Sequence, residues 1–184
     1  MADLSVLVRT ISMDLQASTE RHGLLATLSA LFFEPGFACI FFYRVAVFFY
    51  SNGFGRLGKF LWRRHSVRYG CYLHLHADIA GGLRLPHPVG VVVGEGVKIS
   101  EWVTLYQGVT LGQGSTKMRY PKVGDRATIF ANAVVFGDVR VGSRAVIGAG
   151  SVVNRHVPDG DVVAGSPAKS ICHSKKTHLE AAPK

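Results

Sequence analysis

The sequence predicts a mainly β protein, a parallel β-helix of six-residue repeats preceded by an α-helical region, and three observations carry that prediction. Aliphatic residues recur every six positions from Leu73 to Val153, a period that neither a helix (3.6) nor a simple strand (2) produces. Glycine and phenylalanine are segregated: nine of eleven Phe lie at or before Phe60, and fifteen of twenty-one Gly lie between Gly81 and Gly165. Before Gly70 the apolar spacing is helical. The expected organisation is a helical region over 1–70, a β-helix over 71–168 and a C-terminal tail over 169–184.

The helical region divides into four runs. Leu4, Leu7, Val8, Ile11 and Leu15 follow the i, i+3, i+4, i+7 spacing of an amphipathic helix within 3–21. Leu24 to Phe33 is a second helical run, stopped by Glu34-Pro35-Gly36. Phe37 to Tyr50 is apolar except for Arg44; it is shorter than the ~20 residues of a bilayer span and reads as a buried or interfacial helix. After Asn52-Gly53, Arg56, Lys59, Arg63, Arg64 and Arg68 interleave with Phe54, Leu57, Phe60, Leu61 and Trp62, with no acid between 51 and 70. Such a basic amphipathic helix suits an anionic membrane surface or a face packed on another subunit. No nucleic-acid reader motif accompanies it.

The repeat starts are Leu73, Ile79 and Leu85; Val93, Ile99, Leu105 and Leu111; and Val123, Ile129, Val135, Val141, Ile147 and Val153. Three six-residue units make one triangular coil, with the aliphatic residue inside and small residues at the corners. Roughly four coils are expected. The register breaks twice. Leu85 to Val93 is two residues too long and contains Pro86-His87-Pro88-Val89-Gly90; Leu111 to Val123 is six too long, from Gly112 through Arg119 and Tyr120 to Pro121. Surplus residues must project outward, because the prism interior has no room, so the two segments read as two walls of a site.

The 184 residues are 48% hydrophobic and 18% charged with a net charge of +9, which suits one globular domain with an appendage and excludes a disordered chain. Three scattered cysteines, Cys39, Cys71 and Cys172, give no disulfide framework, and the opening residues show no secretory pattern. A cytoplasmic protein is expected. His74 and His76 lie two apart, but with His87 they do not form a recognisable zinc spacing, so no metal is expected. His156, His173 and His178 read as surface residues.

The strings HPVGVVVGEGVKI, VTLYQGVTLG, RYPKVGD, VIGAGSVV and VPDGDVVAGSPAK, with DLQASTERHG, EPGF and FYRVAVFFY before them, resemble the left-handed β-helix acetyltransferases of the serine acetyltransferase branch. The resemblance covers almost the whole chain. It implies left-handed coiling, a homotrimer or a dimer of trimers, acetyl-CoA as co-substrate in the groove between neighbouring β-helices, and His87 as general base. By the same resemblance Gly112, Ala131, Ala149 and Lys169 would line the cofactor path, with Lys169 meeting a CoA phosphate.

The chain departs from that branch where it would hold serine. Aspartates of the family pattern fall on His22, Tyr72 and Pro86, and the second histidine of the loop motif falls on Tyr120, leaving Arg119. An ammonium substrate loses its carboxylate partners, so Tyr72, Arg119 and Tyr120 read as a pocket for a saccharide hydroxyl, as in exopolysaccharide or capsule O-acetylation. Serine O-acetylation is the alternative. For the group that orients His87, a backbone carbonyl, Tyr72, Asp78 and Glu95 stay open.

Overall fold

The computed structural model describes residues 3–114 and 119–172. Four helices open the chain: α1 (Leu4–Thr19), α2 (Leu24–Phe33), α3 (Pro35–Ser51) and α4 (Gly55–Tyr69). Asp3 caps α1 by accepting the Ser5 N–H. Pro35 disfavours helical backbone at Glu34 and supplies the first residue of α3, so α2 and α3 meet at 111°. No single helix among the described residues is long and apolar enough to cross a membrane; α2 and α3 pass that test only as a bent pair. Gly70, left-handed at φ 58°, ends α4 where the boundary between the regions was expected.

α3 is buried on two sides, which is why its sequence is apolar all round. Phe37 packs with Leu15 and Ala30, whereas Cys39, Ile40 and Tyr43 join the core of the β-helix. Gly36 explains the EPGF string: a Cβ there would overlap the carbonyl oxygen of Leu85, so only glycine lets α3 approach the first coil. Arg44, the one charge in this run, donates from Nε to Asp14 Oδ2 at 3.0 Å and from Nη2 to Asp14 Oδ1 at 3.3 Å. It also donates to the carbonyls of Ile79 and Ala80, and Asp14 accepts the Leu83 N–H at 3.0 Å. Burial pushes the Asp14 carboxyl up from its ordinary value, and Arg44 with the N–H groups of Leu83 and Gly82 pulls it back. One ion pair thus ties α1 and α3 to the first corner of the β-helix.

The β-helix has three parallel faces. The first stacks β1 (Tyr72–Leu73), β3 (Val92–Val93), β6 (Thr110–Gly112), β9 (Val134–Phe136) and β12 (Val152–Val153). The second stacks β2 (Asp78–Ile79), β4 (Lys98–Ile99), β7 (Lys122–Val123) and β10 (Arg140–Val141). The third stacks β5 (Thr104–Leu105), β8 (Thr128–Ile129), β11 (Val146–Ile147) and β13 (Val162–Gly165), with β14 (Ala168–Cys172) antiparallel on its edge. The left-handed parallel β-helix with a helical N-terminal region, about four coils long, is therefore the fold. All thirteen repeat starts are buried.

Pairing registers give the coil lengths. Val92 pairs with Thr110 and Lys122 with Arg140, eighteen residues apart. Tyr72 pairs with Val92, twenty apart, and Thr104 with Thr128, twenty-four apart, so the surpluses of two and six fall where the sequence placed them. A third break was not read from the sequence. Val146 pairs with Val162 and Val141 with Val157, so the last coil is two residues short between Val153 and Val157. The segment expected as a tail from 169 begins instead as β14, because the exposed edge of β13 supplies ladder partners for it. The rest of that tail, with His173 and His178, lies outside the described residues.

Two predictions arise from these contacts. Arg44→Met leaves the Asp14 carboxylate buried without its partner and should cost about 3–5 kcal/mol in urea unfolding, with the double variant Asp14→Leu/Arg44→Met recovering part of the loss. Burial holds the His65 imidazole down at about 4, with Nε2 against Cys39 Sγ at 3.2 Å. The unfolded chain therefore binds that proton first. Stability should be full above pH 6.5 and fall by about 3 kcal/mol as pH drops toward 4, a slope that His65→Leu removes.

Candidate active site

His87 lies in the surplus residues between the third and first faces and is exposed. Backbone bonds hold its bulge: Val91 N–H donates to Pro88 O at 3.2 Å, Gly90 N–H to Gly70 O at 2.7 Å and Gly108 N–H to Val89 O at 3.0 Å. Gly90 sits at φ 75° with its α-carbon facing Gly108, a conformation that suits glycine. Among the described residues nothing hydrogen-bonds the His87 ring. Two groups considered for orienting it are engaged elsewhere, Glu95 with His76 and Asp78 with Lys98.

Below His87 the same prism corner runs straight down the molecule. Asn132 N–H donates to Gln107 O at 2.9 Å and Gly150 N–H to Ala131 O at 2.8 Å, continuing the ladder begun by Val89 and Gly108. Ala131 and Ala149 therefore line one column with His87 at its head. At about 4.8 Å per coil, three steps cover about 14 Å. The left-handed residues of this corner are Gly108 (φ 68°), Asn132 (φ 59°) and Gly150 (φ 66°), which keep the track low. Lys169 lies on β14 opposite Ala164, on the same third face near the foot of the column.

The loop residues leave from another corner. Gly112 ends β6 on the first face, opposite Phe136, and Tyr120 precedes β7 on the second, so this loop departs between faces one and two whereas His87 departs between faces three and one. One chain thus does not bring the two off-register segments together as walls of one site. The physical reason is the triangular section: adjacent corners face different directions. Arg119 Nη1 is 3.4 Å from Asp138 Oδ2 at the surface. Tyr120 donates to Gln113 Oε1 at 3.2 Å, and its ring lies against Gly94 and Gly96, where a Cβ would intrude. Residues 115–118 of the loop lie outside the described residues. Tyr72 is exposed on β1, edge-on to Trp62 with centroids 5.2 Å apart.

Three residues of the column escaped the sequence reading. Gln107 has a buried Oε1 with no hydrogen-bond partner among the described residues, one rung from the His87 bulge. Tyr106 and Phe130 stack at 4.9 Å on successive coils. The signal for them was faint: a polar or aromatic residue just before the left-handed corner, inside strings that looked merely repetitive.

Stacked six-residue coils with an outward histidine at the head of a small-residue track define a hexapeptide-repeat transferase, and the family described as "Bacterial transferase hexapeptide (six repeats)" matches residues 120–155. The particular family follows from longer matches. The chain is 34% identical over 184 residues to the serine acetyltransferase of Buchnera aphidicola, covering 97% of this chain and 67% of that protein. It is 36% identical over 165 residues to serine acetyltransferase 4 of Arabidopsis thaliana, covering 88% and 46%, so it spans about half the length of that plant relative. The crystal structure of the Neisseria gonorrhoeae serine acetyltransferase superposes with a TM-score of 0.83 at 36% identity, over 95% of this chain and 69% of that one. Similar structures include a serine acetyltransferase complexed with CoA and the gonococcal protein complexed with serine. This chain belongs to the serine acetyltransferase family.

Proposed function

We propose that the protein is an acetyl-CoA-dependent O-acetyltransferase in which His87 is the general base. The observation that carries this reading is the single corner that aligns His87, Ala131 and Ala149 over about 14 Å, with Lys169 toward its foot. A relative complexed with CoA supports the co-substrate. In the reaction the His87 imidazole takes the proton of the acceptor hydroxyl as that oxygen attacks the thioester carbonyl. Backbone N–H groups along the coil edge stabilise the tetrahedral oxyanion. Collapse breaks the carbon–sulfur bond, and the histidinium returns its proton to the departing thiolate.

The loop carrying Gly112, Arg119 and Tyr120 projects from a different corner, so a second copy of this chain must bring it to the His87 column. A trimer around the β-helices meets that need, and the exposed apolar residues of α1 and α2, among them Leu4, Val8, Leu25 and Phe32, offer a face for pairing trimers. Buried free thiols at Cys39 and Cys71 suit a reducing cytoplasm.

The acceptor has two readings. The sequence put a saccharide hydroxyl first and serine second; the family comparisons reverse that order, since the relatives and structures reported above are serine acetyltransferases and one holds serine. Serine is therefore the leading acceptor. The saccharide reading keeps one specific support: Tyr72, Pro86 and Tyr120 stand where the family pattern has two aspartates and a histidine, and among the described residues no carboxylate bonds His87.

Thiol release from acetyl-CoA with serine or with saccharide acceptors tests both. His87→Ala should lower kcat by about 10²–10⁴ with either acceptor while CoA binding persists. Acetylation of serine alone would retire the saccharide reading, and acetylation of a sugar alone would retire the serine one. A membrane contact is a separate proposal. Phe60 and Val67 are exposed on α4 beside Arg63, Arg64 and Arg68, and Phe54 is exposed at its N-cap. Sedimentation with anionic liposomes at low salt should carry the protein down and release it at high salt, and no sedimentation at low salt would dismiss the contact.

A further inference from the structure

We propose that His74, His76 and Glu95 form a divalent metal site of two imidazoles and one carboxylate, suited to Zn²⁺, on the corner between the first and second faces. The sequence reading set the His74–His76 pair aside because His87 gave no zinc spacing. The fold supplies a different third member. Glu95 comes from the next coil, and the ligand atoms of the three residues all lie within 4.8 Å of one another.

The cluster is ordered by its surroundings. His74 Nδ1 accepts the His76 backbone N–H at 3.2 Å, which sets the ring's position, and a metal taken by that nitrogen would replace this hydrogen bond. His76 Nδ1 is 3.2 Å from Glu95 Oε1, so two of the candidate ligand atoms already face each other. On the far side of the same ring, Nε2 is 3.0 Å from Tyr50 Oη, so α3 holds the ring and can fix its tautomer. The two imidazoles stand edge to face at 5.2 Å, and Trp62 of α4 meets His74 edge-on at 6.4 Å. Glu95 is set between Gly94 and Gly96, both packed under the Tyr120 ring.

The geometry meets what zinc asks. Tetrahedral ligands at about 2.0–2.2 Å from the ion stand about 3.4 Å apart, and the candidate ligand atoms all lie within 4.8 Å of one another. Three protein ligands leave the fourth position to water. Bound there, the ion would cross-link α3, through Tyr50, with the first and second coils. Within one chain it would sit on a different corner from His87, the corner from which the loop carrying Arg119 and Tyr120 departs.

Titration of the chelator-stripped full-length chain with Co²⁺ and then Zn²⁺ tests this. One equivalent per chain should bind, with visible d–d absorption from Co²⁺ that Zn²⁺ displaces. His76→Ala and Glu95→Gln should each weaken binding by at least about tenfold, and Tyr50→Phe by about 10–100-fold with the stoichiometry kept. Far-UV circular dichroism of each variant confirms the fold. No binding by the parent chain, or undiminished affinity in His76→Ala because the ion sits at other histidines such as His173 and His178, would overturn the assignment.

Discussion

The interior of the triangular prism admits an aliphatic side chain at each repeat start and a small or branched one four residues on, such as Val97, Val103, Ala127 and Ala133, and has no room for more. Every start from Leu73 to Val153 fills that space, and successive coils complete each other's hydrogen bonds, so the chain tolerates no surplus inside. Whatever exceeds the period is extruded at a corner. That exclusion positions His87 in one bulge and Arg119 and Tyr120 in the longer one, and the corner from which each leaves decides which direction it faces. The site's geography is a consequence of packing.

The helical region is joined to this prism by a few specific contacts. Gly36 lets α3 meet the Leu85 carbonyl, and Gly58, against the backbone of Tyr50, lets α4 cross α3 closely. The Asp14–Arg44 pair spends its remaining donors and acceptors on backbone groups of residues 79–83, so the charges are satisfied while fixing the angle of two helices on the first corner. Tyr50 and Trp62 then arrive beside Tyr72, His74 and His76 as a result of that docking, Trp62 Nε1 donating to Leu73 O at 2.7 Å. The aromatic and histidine cluster is thus tied to α3 through Tyr50 and to α4 through Trp62.

The family assignment and the departures within it bear on different parts of the chain. The repeat strings belong to the scaffold, and the small corner residues and the His87 bulge carry the proposed acetyl transfer. In the proposed reading Tyr72, Pro86 and Tyr120 would fall on the acceptor side. In the structure Tyr120 is occupied with Gly94, Gly96 and Gln113, and Tyr72 with Trp62, so both are built into the surface as packed aromatic rings. Discrimination between an amino acid and a sugar rests on such groups, because an unpaired ammonium is costly to desolvate and a ring face is not.

The amino-acid order alone determined the four helices, the six-residue period, its two expansions, the identity of the outward histidine and the boundary at Gly70. These are local properties: each depends on spacing within a few turns or one coil, and the hydrophobic effect acts on that spacing directly. The shortened last coil was missed because Val157 follows Val153 by four, a spacing that looks like loss of the pattern until pairing with Val141 restores it. Only the tertiary structure decided what meets across coils. It put His87 and the Arg119–Tyr120 loop on different corners, stacked Ala131, Ala149 and Gln107 in one column, and brought Glu95 to His74 and His76. Residues about twenty positions apart become neighbours there because one coil is one lap of the prism, a distance that no local pattern encodes.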